Sequence, residues 1–178
     1  MVYGSHYAGA VVAVMRGTVS NCKVVGGEVI VAPNLDGERF DNGDKAGALV
    51  GYLADNDCRS EKILNNTVDG VKVKAYRDVA ALVGCANYIV DMSGNTVKNC
   101  SIIVDQITYS YSDVDPKNPN IGMLVGDLRP YPADSKDFSL SNIKSNIISN
   151  STLALVVEQD GKTVNEVIET VEVGSEGK

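Results

Sequence analysis

A short recurring phrase limits the folds open to this sequence more than any other feature does. Three copies have the form Ala/Met-Leu-Val-Gly and a fourth is weaker; they occupy residues 48–51, 81–84, 123–126 and 10–13. The copies begin roughly 30–40 residues apart, and self-similarity at such a period is typical of solenoids, propellers and other repeat arrays. The sequence therefore predicts a repeat architecture in which the recurring residues form a core.

A second phrase, containing asparagine between β-forming residues, recurs between these apolar anchors. Its asparagines are Asn21, Asn66, Asn99 and Asn142, and each is followed by residues rich in valine and isoleucine. Length varies mainly between the two phrases, as expected when insertions map to loops. Each repeat is thus predicted to run from anchor to variable loop, Asn-containing strand, second strand and another variable loop.

Stacking of equivalent repeat positions about 4.8 Å apart would place like residues over like. We expect Leu49, Leu82 and Leu124 to form an apolar ladder, with the following valines on the opposite face of the strand. Asparagines in register can form an amide ladder through their side chains. The remaining expected columns are the Asn ladder (Asn21, Asn66, Asn99, Asn142), the corner glycines (Gly51, Gly84, Gly126) and a small half-buried position (Cys22, Thr67, Cys100).

Composition excludes two classes of partner. The 178-residue chain is long enough for one domain with a core, or one domain plus a small appendage. Its formal net charge of −7 and its scattered lysines argue against nucleic acid and against an anionic membrane surface. No apolar stretch reaches the ~18 residues that a transmembrane helix needs.

The sequence starts within a repeat. Residues 1–7 lack the basic region and long apolar run of a signal peptide, and no polar capping unit precedes the first anchor. We therefore expect a fragment of a longer protein whose open first repeat is able to associate end to end.

The fold class predicted is all-β. Valine and lysine alternate over residues 71–74, the pattern of a half-buried strand, and the Asp160–Gly161 pair lies between two β-prone runs, which indicates a hairpin. The predicted boundaries are a repeat domain of about four repeats (1–152), a C-terminal capping hairpin (153–173) and a disordered tail (174–178).

Carboxylates in the predicted loops are the first candidates for chemistry. Solvated turn acids are the simplest interpretation, weak Ca²⁺ binding is open for two of the loops (41–44 and 55–57), and whether any metal binds stays unknown. No catalytic residue and no cofactor is predicted: His6 has no nucleophile partner, and Cys85 is interpreted as a core residue at a corner. The loop carboxylates are Asp41, Asp44, Asp55, Asp57, Asp113 and Asp115.

Tyrosines in the same loops are the second candidates. Tyr109, Tyr111 and Tyr131 either pack their own loops onto the core or stack on sugar rings or a protein partner.

The anchor phrase resembles the Gly-Leu-hydrophobic-Gly (GLUG) repeat of large bacterial surface proteins, and the Asn-Cys-x-Val phrase resembles the strand that accompanies it in adhesins of gut bacteria. The resemblance covers residues 8–152. It departs at the first glycine, replaced by Ala48, Ala81 and Met123, and at Ala13, where the last glycine of the first copy is missing. It implies a right-handed parallel β-helix-like solenoid, exported or surface-attached, in an adhesion or structural role.

The function expected is a non-catalytic adhesion or structural module that binds a glycan or a surface protein through its variable loops. Two alternatives stay open: a fragment of a carbohydrate-active β-helix enzyme, and a stalk or self-assembly module.

Overall fold

The computed structural model describes residues 1–32, 45–54, 61–107, 119–129, 140–171 and 175–176. In these ranges the chain forms 23 β-strands and one 3₁₀ turn, Leu140–Asn142, and it contains no α-helix. The prediction of an all-β fold is confirmed.

The strands lie in five sheets, which we label A to E, and the chain passes through the sheets in a fixed order. After β1 (Val2–Gly4) in sheet A, it enters sheets B, C, D, E and A in turn, and we call each such passage a circuit. The first circuit contains β2 (Tyr7–Gly9), β3 (Val12–Met15), β4 (Thr18–Ser20), β5 (Lys23–Val25) and β6 (Glu28–Val31).

Three further circuits repeat this order. The second contains β7 (Lys45–Gly47), β8 (Val50–Leu53), β9 (Lys62–Leu64), β10 (Thr67–Asp69) and β11 (Lys72–Ala75). The third contains β12 (Val79–Ala80), β13 (Val83–Ala86), β14 (Asp91–Ser93), β15 (Thr96–Lys98) and β16 (Ser101–Val104). The fourth contains β17 (Ile121–Gly122), β18 (Val125–Leu128), β19 (Ile143–Lys144), β20 (Ile147–Ser149) and β21 (Ser151–Gln159).

Strands of successive circuits pair in parallel within every sheet. Sheet A, for example, has the order β1-β6-β11-β16-β21, in which each neighbour lies five strands further along the chain. Five strands per circuit is more than the sequence predicted, because a separate strand of sheet B precedes each anchor phrase, whose last two residues begin the strand of sheet C.

The anchors are in register, as predicted. Val50 pairs with Val12 on one side and Val83 on the other, and Val83 pairs with Val125. Leu49 and Leu82 are fully buried in the two-residue connections between sheets B and C, but Val50 and Val83 are fully buried in the same core. The prediction that these leucines and valines occupy opposite faces of one strand is therefore wrong, because the leucines lie in the connections and not in the strands.

Inward-facing side chains from all five sheets form one hydrophobic core. The alternation predicted around residues 71–74 is confirmed, since β11 alternates half-buried and buried residues. Typical inward columns are Val19, Ile63 and Met92 in sheet D, Val68, Val97 and Ile148 in sheet E, and Val29, Val73, Ile102 and Leu153 in sheet A.

Gly51, Gly84 and Gly126 are not corner residues, which corrects the prediction. They lie inside β8, β13 and β18, and none of them has a positive φ. A Cβ on Gly84 would lie 2.6 Å from the backbone nitrogen of Ala46 and 2.7 Å from the carbonyl oxygen of Gly51. Glycine is required there because sheet C packs against the backbone of sheet B in the preceding circuit.

The asparagine ladder exists, but in a different register from the one predicted. Asn66, Asn95 and Asn146 are fully buried and stacked between sheets D and E, while Asn21, Asn99 and Asn142 lie outside the column. The Oδ1 of Asn95 accepts hydrogen bonds from the backbone nitrogen (3.0 Å) and Nδ2 (2.9 Å) of Asn66. Asn146 accepts the same pair of bonds from Asn95.

Each ladder amide also bonds to the backbone of the preceding circuit. The Nδ2 groups of Asn66, Asn95 and Asn146 donate to the carbonyl oxygens of Val19, Ile63 and Met92, respectively. The buried amides are thus held in one geometry by bonds along and across the column.

At two corners of each circuit, one residue has a positive φ and lies in the left-handed backbone region. Asn21 and Asn65 have φ near +55° at the corner between sheets D and E, where the next two circuits have Gly94 and Ser145. The second such column, between sheets E and A, contains Gly26, Gly70, Asn99 and Asn150. Asparagine tolerates this region better than most residues, and this is the role of the two predicted ladder residues Asn21 and Asn99.

The predicted equivalence of Cys22, Thr67 and Cys100 is wrong for the same reason. The backbone nitrogen of Cys22 donates to Asn66 Oδ1, Thr67 pairs with Thr96, and the backbone nitrogen of Cys100 donates to Ser151 Oγ. Cys22, Cys85 and Cys100 are free thiols, and Cys58 lies outside the described residues.

The C-terminal hairpin is observed at the predicted turn. Strand β21 runs parallel to β16 and antiparallel to β22 (Lys162–Val171), with Asp160 and Gly161 between the two strands of the hairpin. Within the predicted disordered tail, Ser175–Glu176 forms β23, which pairs antiparallel with β20, and so departs from that expectation.

Replacing Asn95 by alanine removes the middle of the ladder, so the buried Asn66 backbone N–H loses its acceptor and the Ile63 carbonyl loses the Asn95 Nδ2 donor. Each such group costs about 1–3 kcal/mol, so we expect the free energy of unfolding to fall by about 3 kcal/mol or more in urea titrations. Asn99→Gly is the matched control, because it removes an exposed amide and keeps the left-handed backbone. A loss in the control equal to that in Asn95→Ala would contradict the observed register.

Gly84→Ala would place a Cβ within 2.8 Å of three backbone atoms, the nitrogen of Ala46 and the oxygens of Gly51 and Asp78. No side-chain rotation can relieve these clashes. We expect a destabilisation of about 3 kcal/mol, at the upper end of overpacking effects, or loss of folding, measured by thermal unfolding followed by circular dichroism. Ala13→Gly, at the exposed matching position of the first circuit, should cost less than about 1 kcal/mol. Equal effects would show that sheets B and C do not make this close contact.

Candidate functional site

Variation in length by more than one residue is confined to two of the five connections in each circuit. The connections from B to C and from D to E are always two residues long, and that from E to A is one or two. The connections from A to B and from C to D vary from a few residues, such as 76–78 and 87–90, to more than ten, such as 32–44 and 129–142. The predicted alternation of fixed and variable segments is confirmed.

Both variable connections open on the same side of the molecule. The two-residue B–C connection folds sheet B onto sheet C as an arch, so the first residues of the sheet B strands lie beside the last residues of the sheet C strands. Lys45 Nζ, at the start of β7, lies 5.1 Å from the ring of Tyr52 near the end of β8. We call this open end of the arch the mouth.

Lys45 is buried at the mouth, where its ammonium lies against two stacked tyrosine rings. Its Nζ lies 5.0 Å from the ring centroid of Tyr7, and the rings of Tyr7 and Tyr52 stack with centroids 5.4 Å apart. The cation–π contacts favour the charged ammonium, while burial lowers the pKa of Lys45. Lys45 is the buried first residue of β7.

Asp78 is the fully buried acid of the mouth. Its carboxylate accepts a hydrogen bond from Asn120 Nδ2 at 2.8 Å and pairs with the Arg129 guanidinium at 2.9 Å. Burial raises the pKa of Asp78 despite these two favourable contacts. Arg129 also donates through Nε to Asp127, so one guanidinium joins two carboxylates from neighbouring circuits.

Cys85 lies inside β13, in register with Tyr52 and Asp127, and is fully buried. Burial, together with the nearby Asp78 carboxylate, raises the pKa of the Cys85 thiol to about 12. A thiol with that pKa is protonated at neutral pH and is a poor nucleophile. Cys85 is buried, as predicted, but the residue lies in a strand and not at a corner.

Asp78, Cys85 and Asp127 form the one group of possible metal ligands among the described ranges, with ligand atoms within 4.8 Å of one another. Both carboxylates are already paired with Arg129. The chain therefore supplies its own cation at this point, and the cluster is better described as an internal ion network.

Most site residues proposed from sequence lie outside the described residues: Asp41, Asp44, Asp55, Asp57, Asp113, Asp115, Tyr109, Tyr111 and Tyr131. His6 is described, and its backbone carbonyl accepts a hydrogen bond from Lys45 beside the mouth. Sequence reasoning missed Lys45, Asp78 and Arg129, because residues far apart in the chain meet there only through the stacking of circuits.

The chain matches no family model, and it is not significantly similar to any curated protein or solved structure. In the described part of the chain, no helix is long and apolar enough to cross a membrane.

Asp78 predicts a specific pH dependence of stability. Its folded-state pKa lies above the ordinary value of 3.8, so its contribution to stability is fully present below that value and is lost as the pH rises through the folded-state pKa. Asp78→Asn cannot ionise. We therefore expect its free energy of unfolding, relative to the parent protein, to rise with pH above about pH 4 in urea titrations.

Asp160→Asn is the matched control, because Asp160 also has a left-handed backbone but lies in the exposed hairpin turn. If the free energy of unfolding of Asp78→Asn rose with pH no more steeply than that of Asp160→Asn, or fell, the raised pKa of Asp78 would be contradicted.

Proposed function

We propose that this chain is a non-catalytic module of an exported or cell-surface bacterial protein, which binds its ligand through the variable connections around the mouth. The observation that carries the proposal is the confinement of length variation to the A–B and C–D connections, both of which open at the mouth. Rigid scaffolds commonly present binding loops in this way.

We further propose that the four circuits form a right-handed parallel β-helix-like solenoid. The fixed order of sheets, the parallel pairing between circuits and the continuous inward columns support it. Connections between parallel strands of one sheet are right-handed in nearly all known cases, which favours that hand. The resemblance to GLUG repeats points the same way and is the basis for proposing a surface location and an adhesion role.

A glycan is the ligand that the chemistry of the mouth favours. Tyr7 and Tyr52 are both partly exposed there, and the sequences of the variable connections contain Tyr109, Tyr111 and Tyr131. Tyrosine combines an apolar ring with a polar hydroxyl, which suits the faces and edges of sugars. A host or bacterial surface protein is the alternative ligand.

The buried groups at the mouth support a non-catalytic role. General acid–base chemistry needs a carboxyl group within reach of substrate, but Asp78 is fully buried and both Asp78 and Asp127 are engaged by Arg129. The buried thiol of Cys85 is equally unsuited to nucleophilic attack. These residues stabilise the mouth, from which the A–B and C–D connections extend.

Binding to a glycan array tests the proposal directly. Variants in which residues 55–60 or 108–118 are replaced by Gly-Ser segments of equal length should lose at least about tenfold in affinity for the glycans that the parent binds. Lys23→Ala, an exposed change at the start of β5, which follows a fixed two-residue connection, is the control and should bind as the parent does. Binding that survives replacement of both connections would contradict the proposal.

The enzyme alternative has its own readout. Incubation of the protein with the bound glycans should release no reducing ends or unsaturated products. Turnover that is abolished by Asp127→Asn would instead favour a carbohydrate-active enzyme.

A further inference from the structure

The charged groups of the mouth differ in how far they face solvent. Lys45 is 3% exposed and the side chain of Asp78 is fully buried, whereas the side chains of Asp127 and Arg129 are 18 and 40% exposed. Of these four groups, the guanidinium is therefore the one that a ligand meets first, although the chain as a whole has a net charge of −7. A positive group in such a place attracts anionic ligands.

Two carboxylates hold the Arg129 guanidinium in a fixed orientation. Its Nε donates to Asp127, and its Nη2 donates to Asp78 at 2.9 Å. Neither of these bonds, which join Arg129 to other described residues, uses the two N–H donors of Nη1. A guanidinium held in this way is preorganised to bind a further carboxylate, and such charge-assisted bonds are about twice as strong as neutral ones.

Two other cationic side chains add to the positive potential at the mouth. Lys45 is one of them, and Arg77, which precedes Asp78 in the short connection 76–78, is the other. Burial lowers the pKa of Lys45, and the nearby charges of Arg129 and Arg77 lower this pKa further. The same charges that disfavour a second ammonium favour an anion, so the surroundings of Arg129 suit an acidic ligand.

The tyrosine rings lie at a distance from Arg129 that suits a sugar chain. Tyr52, Cys85 and Asp127 are in register in three successive strands of sheet C. Parallel strands lie about 4.8 Å apart, so Tyr52 and Asp127 are separated by about 9.6 Å along the stack. That separation is close to the length of a disaccharide. One sugar ring can therefore contact Tyr7 or Tyr52 while the carboxylate of the next sugar lies at Arg129.

We propose that the ligand of the mouth is an acidic glycan, a chain containing uronic or sialic acid, whose carboxylate is bound by Arg129. This inference rests on the proposed function and names the class of its ligand. Arg129 determines specificity, because it contacts the group that distinguishes acidic from neutral sugars. Tyr7 and Tyr52 contact the ring faces that both kinds of sugar share.

A glycan array on which each acidic oligosaccharide is printed beside its carboxyl-reduced form tests this inference. The probes are oligogalacturonides, hyaluronan tetrasaccharide and sialyllactose, and within each pair only the carboxylate differs. The parent protein should bind at least one acidic member about tenfold or more tightly than its reduced partner, as expected for a hydrogen bond to a charged group. This preference should weaken as the salt concentration rises.

Arg129→Lys tests the role of the guanidinium. The variant keeps a positive charge beside Asp78 and Asp127 but loses the bidentate geometry, so the preference for the acidic member should fall at least about tenfold. Lys98→Gln is the matched control and should keep the parent's preference. Lys98 also pairs with a carboxylate, that of Asp69, and its side chain is 42% exposed, but it lies on sheet E.

Equal binding to both members of every pair, or binding to neutral glycans alone, would overturn the inference and leave the proposed function intact. An acidic preference that survives in Arg129→Lys, with circular dichroism unchanged, would overturn it as well. If that variant does not fold, the comparison within each glycan pair decides the inference with the parent protein alone. Absence of binding to any glycan would instead contradict a glycan ligand altogether, and with it this inference.

Discussion

The contact between the backbones of sheets B and C is the constraint on which the rest of this structure depends. The two sheets approach so closely that Gly84 has no space for a Cβ, and the same holds for Gly51 and Gly126. Such an approach is available only to glycine, so the recurring glycine of the anchor follows from packing. The contact folds sheet B onto sheet C as an arch and fixes the offset between circuits.

The geometry of the arch determines where polar groups can lie. Its closed end holds Leu49 and Leu82 in the core, while its open end receives Lys45, Asp78 and Arg129 from three different circuits. Burying these charges is costly unless they are paired, and the tyrosine rings and the Arg129 bridge supply the partners. The mouth is thus a rigid, charge-balanced base from which both variable connections leave, and this is the physical basis for placing ligand binding there.

Sequence reasoning worked where side-chain chemistry has a single interpretation. The anchors were aligned correctly because nearly the same four residues recur at the same place in each circuit, although the role predicted for their glycine was wrong, and the Asp160–Gly161 hairpin followed from its turn residues. Asparagine failed because it has two roles in this fold: Asn66 and Asn95 form the ladder, whereas Asn99 provides a left-handed corner. A signal for the true register was present, since Asn-Thr-Val occurs at both 66–68 and 95–97. The ion network at the mouth had no comparable signal, because it is assembled from side chains of different circuits.

The register of the asparagine ladder tests the account most directly, because every sheet shares the alignment that it defines. Nuclear Overhauser contacts measured on the ¹⁵N-labelled protein should connect the backbone amide of Asn66 with the side-chain amide of Asn95, and that of Asn95 with the side chain of Asn146. Contacts from Asn66 to Asn99, and from Asn99 to Asn142, would instead support the alignment expected from the sequence. They would contradict the arrangement of circuits described above.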